Sequence, residues 1–133
     1  MLGPNIKLLI ALLSSFAIAN TAVVEKEIPI IVAVIPGADA CPSLGEITGL
    51  KFTRLNVRAG PGIAFTKVDA VKNGQRVYLC NLSKDGEWHG VVYPKNHGNQ
   101  DCGVTTAKSK SEVYSGPCEA GWVHSSWVKV IAG

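Results

Sequence analysis

Between Leu55 and Tyr93 the chain is interrupted three times by residues that neither a helix nor an unbroken strand can carry. Ala59-Gly60-Pro61-Gly62 ends any ladder, because proline has no N–H to donate and glycine loses the most freedom when held extended. Asn73-Gly74 is a favoured hairpin dipeptide, and Lys84-Asp85-Gly86 is a third turn signal. Between these stops lie Leu55–Arg58, Thr66–Val71, Gln75–Leu82 and Glu87–Tyr93, each too short for a helix and suited to a strand. In the first of them Leu55 and Val57 share one face, Asn56 and Arg58 the other. Gly45 to Leu50 reads as an earlier strand. Gly121-Trp122-Val123-His124-Ser125-Ser126-Trp127-Val128 reads as strand, polar turn and strand. No stretch keeps a helical period. The expected fold class is all-β, a small barrel or sandwich.

The N-terminus has a different grammar. Lys7 precedes a nearly continuous apolar run from Leu8 to Ala19, and Ala17-Ile18-Ala19 fits small-x-small cleavage. Residues 1–19 are therefore expected to be a secretory signal peptide, cut before Asn20. The competing assignment is an uncleaved anchor, but the run falls short of the ~20 residues that span a bilayer. Cleavage would leave 114 of the 133 residues and lower the formal charge from +3 to +2, since Lys7 is the only charged side chain lost. So small an excess, with no basic stripe, gives no reason to expect nucleic acid as a partner.

Residues 20–40 are an apolar leader. Within it, Ile28-Pro29-Ile30-Ile31-Val32-Ala33-Val34-Ile35-Pro36 is bracketed by prolines that disfavour a helix or a central strand. It is expected to lie extended across the domain at residues 41–133, or else to act as a linker that docks elsewhere. Outside the cytosol the four cysteines read first as two disulfides. Three pairings are possible. The expected one joins Cys102 to Cys118 and Cys41 to Cys80. The first bridge staples a polar insert at 94–120 that is long for a hairpin loop, and the second fastens the leader to a strand. Metal-binding cysteines are the alternative, with no CxxC spacing to support them.

Four pieces in order, Leu55-Asn56-Val57-Arg58-Ala59-Gly60-Pro61-Gly62, Val77 to Leu82, Gly86-Glu87-Trp88 and Gly121 to Val128, resemble the bacterial SH3-like domains of secreted and envelope proteins. The resemblance spans roughly residues 44 to 130. It implies a small SH3-like barrel of two orthogonally packed sheets, here with a long disulfide-stapled loop insertion where the family has a tight turn. Family members bind peptidoglycan peptides or other proteins, often as targeting modules attached to an enzyme.

Alternation picks the candidate site. If Val91 and Tyr93 fill the core, Trp88 faces outward; if Val123 points inward, Trp122 and His124 face outward. The closing stretch is also similar to the end of eukaryotic SH3 domains. There the positions matched by Trp88, His124 and Trp127 are a groove tryptophan, proline and tyrosine. The resemblance thus implies one aromatic concavity of Trp88, His124 and Trp127 that takes an extended peptide. The upstream groove tyrosines have no counterpart near Leu55–Arg58, which argues against the usual polyproline ligand. Against a binding role stands the plain alternative that tryptophans in so small a domain complete its core. Asn56 and Arg58 read as turn-bracing.

His89, His97 and His124 have no metal-ligand spacing, no nucleophile sits beside a base, and the acids form no general acid–base pair. Neither catalysis nor a cofactor is expected. The expectation is a secreted, periplasmic, non-catalytic envelope binding module for a peptidoglycan peptide, with no membrane span after cleavage. Its rival is a protein-binding inhibitor or immunity factor that acts on an envelope protein through the 94–120 insert.

Overall fold

The computed structural model describes residues 25–133, so the expected signal peptide and the first leader residues lie outside the described residues. Nine strands follow one another: β1 (Ile31–Val32), β2 (Ser43–Ile47), β3 (Leu55–Arg58), β4 (Lys67–Val71), β5 (Arg76–Leu82), β6 (Trp88–Tyr93), β7 (Glu112–Val113), β8 (Glu119–His124) and β9 (Val128–Ala132). Two 3-10 turns occupy Lys95–His97 and Ser125–Trp127. The protein is all-β, as the turn punctuation requires. Among the described residues no helix is long and apolar enough to cross a membrane.

Seven strands form one antiparallel sheet in the order β4-β3-β8-β6-β5-β2-β9, and β1 pairs with β7 outside it. In a flat sheet β4 and β5 would stand four spacings apart, roughly 19 Å. They are joined by a turn at Lys72–Gln75, closed by a 3.1 Å bond from the Gln75 N–H to the Lys72 carbonyl. Such a turn holds its ends within about 7 Å. Likewise β8 and β9, also four places apart, are joined by three residues, Ser125–Trp127. The sheet must therefore curl strongly. No ladder joins β4 to β9 among the described residues, so it remains open at that seam.

Curling gives the sheet an inner and an outer face, and both are apolar. Ile47, Leu55, Val57, Val71, Val77, Val91, Tyr93 and Val123 form the inner core, with strands β2 to β6 and β8 all contributing. Tyr93 is almost wholly buried, and its hydroxyl donates to Asp69 Oδ2 at 2.7 Å. Burial first, and then this carboxylate, push its pKa far above the ordinary phenol value.

The outer core contains Ile30, Val32, Ala40, Cys41, Trp88, Val92, Cys102, Val104, Cys118 and Trp122. Here the leader and the insert cover the sheet. The disulfides are Cys41–Cys80 and Cys102–Cys118, the expected pairing, and both lie in this layer. The leader is held at several points. The Ile28 N–H donates to the Ala59 carbonyl (2.9 Å), and the Trp122 indole donates to the Ile28 carbonyl (2.8 Å). The Asn81 amide grips Ile31 at both polar groups, accepting from its N–H and donating to its carbonyl, each at 2.8 Å. Ile30 reaches the sheet because Gly90 has no side chain: a Cβ there would sit 2.8 Å from Ile30 Cδ1. The Tyr114 hydroxyl braces the insert, donating to the Cys102 carbonyl (2.9 Å) and accepting from the Cys118 N–H (3.1 Å).

Two expectations are refined by this layer. The leader lies extended against the domain, through β1 and its partner β7, rather than serving as a free linker. The insert is anchored to the sheet through Cys102, Val104 and Cys118, while most of its other residues are exposed.

Candidate functional site

The ladder between β6 and β8 sets Trp88 opposite His124 and Gly90 opposite Trp122, while β3 contributes Arg58 beside Trp122. Continuing that antiparallel register by two places sets Asn56 beside His124. The outer face thus carries two neighbouring rows, Arg58–Trp122–Gly90 and Asn56–His124–Trp88. The leader covers the first row at Trp122 and Gly90. The second row lies at the leader's edge and borders a concavity of about 350 Å³, lined by Phe52, Arg54, Asn56, Arg58, Ile63 and His124, with the largely buried Trp88 and Leu55 behind them.

Local turns fix the walls. Asp85 Oδ1 accepts from the Ser83 hydroxyl at 2.6 Å and from the Glu87 N–H at 2.9 Å, while Ser83 Oγ accepts from the Trp88 N–H at 3.0 Å. The Ser83 hydroxyl first, and the Glu87 N–H second, hold the Asp85 carboxyl below its ordinary pKa. This knot sets the start of β6 and so the position of Trp88. The Trp88 and His124 rings meet edge to face, with centroids 5.3 Å apart. His124 Nδ1 accepts from the Ser126 N–H at 3.1 Å, which assigns the ring proton of the neutral imidazole to Nε2. Arg58 braces the 59–66 turn by donating from Nη1 to the Phe65 carbonyl at 3.0 Å, as its position before the turn suggests.

Trp88, His124 and Trp127 are not all brought into one concavity. Trp88 and His124 line it together, but Trp88 is only 8 % exposed and presents little more than an edge. Alternation assigns Trp88 and Trp122 to the correct face; the leader and insert then bury that face, leaving Trp122 only 5 % exposed. Trp127 packs against the inner core and meets Phe52 edge to face, with centroids 5.5 Å apart. Phe52 lines the concavity, whereas Trp127 does not. His89 faces away from the site, on the same side as Val91, and burial lowers its pKa.

Sequence reasoning missed Phe52, Arg54 and Ile63. Phe52 is 50 % exposed and Ile63 82 % exposed. A signal existed: each is a large apolar residue in a polar or glycine-rich connection, where no strand core claims it. Two apolar side chains flank a floor of aromatic edge, imidazole and amide, with two guanidinium groups beside it. Such a surface can hold an extended chain by burying apolar side chains while Nε2 of His124 and the Asn56 amide hydrogen-bond its polar groups. No protein-family model, curated protein or solved structure matches this chain.

Proposed function

We propose that this chain is a secreted envelope protein built on an SH3-like barrel, and that it binds cell-wall peptide in the concavity of Phe52, Ile63, Trp88 and His124. The observation that carries the reading is the concavity at the edge of the leader, where the exposed apolar side chains of Phe52 and Ile63 flank hydrogen-bonding groups. Support for the barrel comes from the tight curl and from the pairing of β2, first strand of the large sheet, with β9, its last. The two disulfides fit an oxidising compartment, extracellular or periplasmic.

Co-sedimentation with purified peptidoglycan tests the site. Replacing Phe52 and Ile63 together with serine touches exposed side chains, so the fold should persist while pelleting falls about tenfold, the scale of two lost apolar contacts. Unchanged pelleting of a folded double variant would overturn the assignment. Truncating Trp88 is a poor test, because it also opens the outer core. The rival reading, a protein-binding inhibitor that inserts residues 94–120 into a partner, draws less support. Cys102, Val104 and Cys118 are buried against the sheet, so deleting most of the insert would strip the outer layer as well.

A further inference from the structure

We propose that the concavity selects peptides by a free carboxylate, read by Arg54 and Arg58 together with His124, an inference that rests on the peptide-binding reading above. None of the residues lining the concavity is acidic, whereas two of them are arginines. Among the described residues neither Arg54 nor Arg58 forms an ion pair; the bridges found are Lys95–Glu119 and Lys108–Glu112. Arg58 has Nη1 on the Phe65 carbonyl, and among the described residues its remaining N–H groups find no other partner. Arg54 is exposed on the ridge between this concavity and a second one, where Asp69 already accepts from Tyr93.

His124 adds a third donor of the same sense. With Nδ1 occupied by the Ser126 N–H, its Nε2–H is the group left to face a ligand. The nearby carboxylate of Asp85 is turned to Ser83 and Glu87 and is not among the residues lining the concavity. The wall therefore offers donors and cations with few acceptors. A free amine or a bare lysine side chain finds no counter-charge there. A carboxylate finds two guanidinium groups, which favour such anions through forked, charge-assisted hydrogen bonds. The apolar flanks at Phe52 and Ile63 would hold the neighbouring side chains of the same peptide.

The test compares two forms of one probe, a peptidoglycan stem tetrapeptide with its carboxylates free or converted to amides with carbodiimide and ammonia. Binding to the full secreted protein is read by titration calorimetry. The free-acid form should bind about tenfold tighter or more, the scale of one charge-assisted contact. Arg54→Gln should erase that preference. Arg76→Gln, an equal charge change on exposed β5, should leave it intact. Equal affinity of both forms for the unaltered protein would overturn the carboxylate inference and leave the groove standing. A preference that survives Arg54→Gln, or is lost equally in Arg76→Gln, would also overturn it, by removing the local reading. Failure of both forms to bind would overturn the inference and the peptide reading beneath it.

Discussion

The two faces of the large sheet are both apolar, yet they are built by opposite means. The inner core is supplied by successive strands through simple alternation and contains no cysteine. The outer core is assembled from a leader, an insert and the backs of β6 and β8, and holds all four cysteines. Strands joined by short turns need little to meet on the inner side. The outer side brings together segments far apart in the chain, such as Ile28 and Trp122, 94 positions distant. Cross-links offset the loop-closure entropy such contacts cost. One sheet therefore carries two layers with different chemical dependence.

Converting all four cysteines to serine should have the largest effect and divide the layers. Loop-closure arguments put the loss at about 3 kcal/mol for the bridge spanning 16 positions and about 4 kcal/mol for the one spanning 39. Hydrogen exchange should then show Ile31 and Tyr114 amides exposed while those of Val57 and Val91 stay protected. In contrast, Ile47→Ala, which leaves both bridges intact, should cost about 2–5 kcal/mol and lower protection in both layers. Simultaneous loss of both layers in the serine variant would show that they form one cooperative unit.

A smaller effect, roughly 1–3 kcal/mol, is expected for Gly90→Ala, whose Cβ would crowd Ile30 Cδ1 at 2.8 Å and Asn81 Cβ at 2.9 Å. The leader should unseat, and limited proteolysis within residues 28–36 should speed up. Adding Ile30→Ala should cost less than the two changes summed, since it removes the clash with Ile30 and leaves only that with Asn81. Full additivity in a denaturant series would mean that Ile30 does not use the Gly90 gap.

The smallest effect belongs to pH. Burial lowers the His89 pKa, so the folded state disfavours the charged ring relative to the unfolded chain. Stability from this source is complete above the ordinary histidine value of about 6.5 and is lost as pH falls through the lower folded value. His89→Asn should flatten urea midpoints across that acidic window. An unchanged pH slope would remove His89 as its cause.

The inner layer was largely legible in the sequence. Leu55–Arg58 has the expected bounds, and β4, β5 and β6 each begin one residue later than the pattern suggests. Strand β2 runs earlier than expected, Ser43–Ile47 rather than Gly45–Leu50, because β9 and β5 pair with it at Leu44. The outer layer was not legible. Alternation tells which face Trp88 and Trp122 occupy, but not whether another segment covers that face. The two-residue strands β1 and β7 carry no periodic signal. The candidate site shows the same limit: His124 and Trp88 line one concavity but Trp88 is buried, and Trp127 packs on Phe52, which alternation within strands does not single out.

The contact between Ile28 and Trp122 also joins an early stretch of the chain to a late one. The leader is synthesised first, yet its indole partner belongs to nearly the last strand. Until β8 exists, Ile28 lacks its indole partner, and an apolar run left partly uncovered is the kind that seeds association between incompletely folded chains. Its prolines then serve in the meantime: Pro29 and Pro36 bracket the run and interrupt the unbroken β-forming window from which aggregates grow. A strap that closed slowly would leave each new molecule adhesive for longer.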